Sequence, residues 1–142
     1  MLLRGRLTPK RRGGERGQSL VEFAFIVPIF LLLLFVIVDF GMGFHAYITV
    51  TNSAREGARL GSIRADAASI EQRVRDTADT LDQGNLTVSV TNAEGEPGES
   101  VVVDVDYEYG FITPLAGVLQ FVTGNTIGPT LGFSSTADMR LE

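Results

Sequence analysis

The chain has 142 residues, 44% of them hydrophobic, with no cysteine, no tryptophan and a formal net charge of −5. Disulfides and thiolate metal sites are therefore excluded, and the single histidine, His45, excludes a zinc site built on several imidazoles. The charge is uneven: residues 1–17 hold six bases against one acid, whereas residues 18–142 hold six bases against sixteen acids, which argues against a nucleic-acid-binding face.

The chain opens on a basic leader, 1–17, with Arg4, Arg6, Lys10, Arg11, Arg12 and Arg16 opposed only by Glu15. An unbroken apolar run follows over residues 23–38, with Glu22 directly against its start. A positive start, an apolar run and an acidic remainder read as single-pass topology, with the N-terminus cytoplasmic and the acidic part translocated. The run itself is 16 residues, short of the ~20 that span a bilayer. The residues after Asp39 stay weakly polar, so an anchor over about 23–45 is available with Asp39 near the outer interface. A removable signal peptide is the rival reading. It needs a small-x-small site after the apolar core, where Asp39 and Phe40 stand instead.

One long helix is expected over 18–62. Its first half is apolar all round, and Pro28 should kink it mildly by removing one intrahelical hydrogen bond. Its second half is amphipathic, with Tyr47, Val50, Ala54, Ala58 and Gly61 on one stripe. At ~1.5 Å per residue such a rod is roughly 65–70 Å long, about twice the hydrocarbon thickness of a bilayer.

Residues 63–142 are expected to form an extracytoplasmic α+β domain. A second helix fits 67–81, capped by Asp66 and stopped by Gly84, with Ala67, Ile70, Val74, Ala78 and Leu81 inward. Three strands follow by period-two alternation: Leu86, Val88 and Val90; then Val103, Val105, Tyr107 and Tyr109; then Leu131, Phe133, Ala137, Met139 and Leu141. A short helix fits 113–122, after Pro114. The expected architecture is a small three-stranded antiparallel sheet packed on the second helix and on the outer half of the long one.

Two clusters carry the chemistry. Cleavage between Gly17 and Gln18 would make Glu22 the fifth residue of a new N-terminus, and the freed amine could pair with that carboxylate, offsetting its desolvation near lipid. The bland reading is that Glu22 marks the cytoplasmic interface and is stabilised by the helix N-terminal dipole. The second cluster is Asn52, Arg55, Glu56 and Arg59. Arg55 and Arg59 share a face at i, i+4 and call for acidic partners, such as Glu56 of a neighbour or an acid on the sheet. Such a cluster is either an assembly contact or a solvated helix face. Gly57 and Gly61, four apart, either permit close approach of another helix or seat the domain on its own helix. Asp104, Asp106 and Glu108 line one strand face about 7 Å apart, which suits a solvated face offset by Arg140 or Arg73 better than a calcium site. No nucleophile-and-base set and no phosphate loop is present, so neither an enzyme nor a cofactor is expected.

The run Arg16, Gly17, Gln18, Ser19, Leu20, Val21, Glu22, Phe23, then Pro28, then Asp39-Phe40-Gly41, then Asn52-Ser53-Ala54-Arg55-Glu56-Gly57-Ala58-Arg59 resembles the TadE-like family. The resemblance covers about 13–61. It implies a minor pilin or pseudopilin of the tight-adherence (Tad) type IV pilus system, held in the inner membrane. It implies cleavage at Gly17–Gln18 by a prepilin peptidase, with other Tad pilins or pseudopilins and an inner-membrane assembly platform as further partners. Phe23 and the long acidic domain depart from the major pilins of that system and fit the minor component. The alternative is a permanently anchored extracytoplasmic binding domain that does not assemble.

Overall fold

The computed structural model describes residues 13–142 apart from positions 125 and 127, with side chains from Gly17 onward. The leader bases Arg4, Arg6, Lys10, Arg11 and Arg12, and the side chains of Glu15 and Arg16, lie outside the described residues. The chain is α+β: a long helix α1 (Gly13–Gly61), α2 (Ala67–Thr77), a 3-10 turn (Gln83–Asn85), strands β1 (Leu86–Thr91) and β2 (Ser100–Gly110), α3 (Leu115–Thr123) and strand β3 (Thr130–Arg140). Contacts divide it into two compact units between Leu34 and Phe35, inside α1.

In the first unit, every described side chain from Gly17 to Leu34 is exposed except Val27, which is half-buried. The helix continues through Pro28. A helix apolar on all sides with nothing packed on it calls for an apolar solvent. Its most apolar stretch is wholly unburied and is long enough to cross a bilayer.

The second unit holds the core. Strands β1, β2 and β3 form an antiparallel sheet with β2 in the middle. β2 alternates strictly: Val101, Val103, Val105, Tyr107 and Tyr109 are buried, with more open residues between them. Val103 pairs with Val90 on one side and Ala137 on the other, so the apolar faces of all three strands are in register. That face packs on Ile70 and Val74 of α2, on Ala78 just past its end, and on Ala46, Val50, Ala54 and Ala58 of α1.

The α1 face against the sheet is built of small residues for a geometric reason. A Cβ placed on Gly57 would meet Val74 Cγ2 at 2.5 Å and Val103 Cγ1 at 3.2 Å, and one on Gly61 would meet Val101 at 2.9 Å. One on Gly43 would meet Phe133 and Tyr109 at 3.6 and 3.7 Å. So α1 runs antiparallel to β2, with Gly43 beside Tyr109, Gly57 beside Val103 and Gly61 beside Val101. The rises agree: from Gly43 to Gly61 the helix climbs ~27 Å, and from Tyr109 back to Val101 the strand covers ~27 Å. The two glycines therefore seat the domain on its own helix, which decides between the two readings the sequence left open.

Three expectations shift. Tyr47, expected on the buried stripe, is 47% exposed. Ala46 takes its place in the core, and the Tyr47 ring lies edge-on to Phe133 with centroids 6.1 Å apart. The α-helical part of α2 ends at Thr77 instead of 81, where Ala78 leaves helical geometry (φ −101°, ψ 27°), and Gln83 Nε2 turns back to donate to the carbonyls of Ala78 and Leu81. Leu81 is buried all the same. β2 begins at Ser100, ahead of the expected Val103, because Ser100 and Val101 still pair with Arg140 and Met139.

Candidate functional site

At the N-terminal motif, Gly17, Gln18, Glu22 and Phe23 all lie on the helical surface of α1 and all are exposed. A Cβ added to Gly17 would meet nothing within 4 Å, so the chain's own packing does not require glycine there. Gln18 Nε2 donates to Glu22 Oε1 at 3.1 Å, one helical turn along. The bond between Gly17 and Gln18 is thus accessible, and the carboxylate that follows it is held by a neutral amide. Phe23, 67% exposed, begins the lipid-compatible surface.

The second cluster resolves differently from residue to residue. Arg59 Nε and Nη2 donate to the two oxygens of Glu56 at 2.9 and 2.6 Å, one turn back on the same helix. Glu56 is therefore engaged by its own chain. Among the described residues Arg55 makes no ion pair or hydrogen bond, and both it and Asn52 are exposed. These two lie on the side of α1 away from the sheet, since their neighbours Ser53 and Ala54 are fully buried.

The sheet acids behave as a mostly open face. Thr136 Oγ1 donates to Asp104 across β2 and β3. Arg140, expected to offset these acids, pairs instead with Ser100, at the end of β2 remote from Glu108.

The arrangement that sequence reasoning missed is centred on Asp39. This carboxylate, expected near an open interface, is only 2% exposed. Its Oδ1 accepts from the Ile112 amide at 2.9 Å, the Tyr109 hydroxyl at 3.2 Å and the Thr113 amide at 3.4 Å. Its Oδ2 accepts from the Thr113 hydroxyl. The same hydroxyl accepts from the Leu115 amide at 3.2 Å, where α3 starts. Asp39 therefore ties the end of β2 and the start of α3 to α1, at the residue that closes the apolar run. A buried carboxylate is tolerated when its lone pairs are filled, and here four donors fill them. Tyr109 registers the same environment: burial, and then the Asp39 charge, push its phenol up to about 12. The signal available beforehand was a lone acid after the apolar run, with a Tyr and a Thr in an uncharged stretch far along the chain. Nothing in the spacing joins them.

Beside this clamp lies an apolar cleft of about 300 Å³, lined by Val36, Phe40 and Phe44 of α1 and by Phe111, Leu115 and Leu131 among others.

Residues 17–59 match the model of a protein family described as TadE-like protein. The match begins at Gly17, takes in Glu22, Pro28 and Asp39, and ends at Arg59. No curated protein matches the chain, and no solved structure matches it.

Proposed function

We propose that this chain is a minor pilin or pseudopilin of a Tad-type pilus, made as a precursor and cut between Gly17 and Gln18 by a prepilin peptidase. The observation that carries the proposal is where the TadE-like match begins: at a glycine that the chain's own packing does not need, five residues ahead of a carboxylate that adjoins lipid-compatible helix. Requirements with no internal cause point to a partner outside the chain. The peptidase supplies one, since a residue without a side chain lets it hold the backbone closely. Assembly supplies the other. Cutting frees a cationic amine at Gln18, which pairs with Glu22 of the same chain or of its neighbour and offsets the desolvation of that carboxylate among apolar helices.

In this reading the protein works by packing and catalyses nothing. The leader stays in the cytoplasm, α1 anchors the chain in the inner membrane, and residues 63–142 stand outside it. Asn52 and Arg55, exposed and without partners of their own, are the contacts offered to other Tad pilins or to the assembly platform, while Glu56 and Arg59 satisfy each other. The alternative, a permanently anchored domain that never assembles, has one observation in its favour: Gln18 already partners Glu22 in the uncut helix.

Co-expression with a prepilin peptidase followed by mass measurement of the intact protein tests the reading. The expected result is loss of residues 1–17, blocked by a bulky substitution at Gly17, with the fold unaffected because that position is open. Glu22→Ala should be cut normally and fail to assemble. A chain that keeps its leader when its native peptidase is present overturns the proposal and leaves the anchored domain.

A further inference from the structure

Glu108 and Asp138 bracket a stretch, residues 109–137, that contains no Asp, Glu, Lys, Arg or His. In a chain with sixteen acids after residue 17, an uncharged stretch of this length stands out. It includes α3, whose outer side is strongly apolar and open: Phe121 is 90% exposed and Val122 74%. Ile112, just ahead of α3, is 62% exposed. Large apolar side chains this exposed on one small helix mark a surface that something covers.

The position of α3 says what covers it. The Asp39 clamp holds Ile112, Thr113 and the first turn of α3 against the α1 residue that closes the apolar run. On the α1 side, Ile37 and Phe40 are themselves 60% and 74% exposed. The cleft lined by Val36, Phe40, Leu115 and Leu131 makes the two surfaces continuous. Where α1 leaves a bilayer, α3 is therefore level with the boundary between acyl chains and headgroups. The absence of charge from 109 to 131 suits that depth, and the acids of β2 lie beside β3 only from Gly132 onward. A specific protein partner would find no charged side chain on this stretch to fix its orientation.

We infer that α3 and its flanks insert into the membrane interface, giving the domain a second, lateral contact with the lipid bilayer beside the α1 anchor. This rests on α1 being the anchor. The domain then does not hang free from its helix but lies against the leaflet, and leaving the membrane requires surrender of both contacts.

The chain lacks tryptophan, so a single introduced indole reports its own surroundings. The full chain is reconstituted in phosphatidylcholine vesicles with and without brominated acyl chains, as Phe121→Trp, Phe30→Trp and Thr87→Trp. Phe30 lies in the anchor and Thr87 on the exposed face of β1. Phe121→Trp is expected to emit to the blue and lose most of its emission to bromine near the headgroups. Phe30→Trp should lose its emission to bromine deeper in the chains, and Thr87→Trp should emit as in water, unquenched. Val122→Trp should repeat the Phe121→Trp result from a second open position. Water-like, unquenched emission from both α3 variants, with Phe30→Trp still quenched, overturns the lateral contact and spares the anchor. Blue but unquenched emission that depends on protein density overturns it in favour of a second copy as the cover. Loss of quenching at Phe30→Trp as well removes the anchor and this inference together.

Discussion

Asp39→Ala removes an acceptor that fills four donors at once, and the structure sets the size of the effect. A hydrogen bond to a charged group contributes about 1.5–3 kcal/mol, so four bonds taken singly overstate the sum. Burying the carboxylate costs several kcal/mol, and that cost disappears with the side chain. What remains is a set of donors left inside a protein without partners, at about 1–3 kcal/mol each. The Tyr109 hydroxyl lies too deep to reach water without movement of the segment, whereas the Ile112 amide is only partly buried. A net loss of about 2–4 kcal/mol is expected for opening of the 109–115 segment. Asp39→Asn is a finer probe. Its carbonyl oxygen keeps the three bonds made by Oδ1, and the Thr113 hydroxyl turns to accept from the new amide, so the loss is about 1–2 kcal/mol. Hydrogen exchange read by mass spectrometry on peptides covering 109–115 measures this directly. Asp39→Ala should speed exchange of the Ile112 and Thr113 amides by about 30- to 1,000-fold, and Asp39→Asn by about tenfold. Equal effects from the two variants, or wild-type protection in Asp39→Ala, refute the clamp.

Other outcomes follow from the same structure. Gly57→Ala gains about 0.8–1 kcal/mol of helix propensity but drives a methyl group to 2.5 Å from Val74, so a net loss of up to about 2 kcal/mol is expected in denaturant unfolding. Gly117→Ala, where nothing lies within 4 Å, should instead gain about 0.5–1 kcal/mol by the same measurement. Tyr109 stays protonated in the folded protein to about 12, whereas the unfolded phenol ionises near ~10. Its contribution is whole below the unfolded value and is lost as pH rises through the folded one, a fall of about 2–3 kcal/mol in total. Ultraviolet titration of tyrosinate should lose its latest component in Tyr109→Phe. Glu56→Gln breaks an exposed pair and should change stability by less than about 1 kcal/mol. A severe assembly defect in a normally stable Glu56→Gln protein then locates a partner at that residue.

The sequence alone determined the elements and their faces. Apolar periodicity is a local property, so the long helix, the capped second helix, the three alternating strands and the short helix after Pro114 were all readable. Asp66 accepts from the Ser69 hydroxyl at 2.6 Å and from the Ser69 amide at 3.1 Å, the latter as an N-cap should, and both lower its pKa. The N-terminal end of the family match was equally legible, because Gly17, Gln18, Glu22 and Phe23 lie within two helical turns of each other. Tertiary structure decided what depends on distant residues meeting. Gly57 and Gly61 proved to be seats for Val74 and Val101, since how closely a sheet approaches a helix is set by side chains on both. Glu56 proved to be Arg59's partner within one chain, and Arg140, at the end of β3 opposite Ser100, stood too far from Glu108 to serve it. Asp39 read as an interface acid because its neighbours in sequence are apolar. Its donors come from seventy to seventy-four residues away, and only the folded chain delivers them.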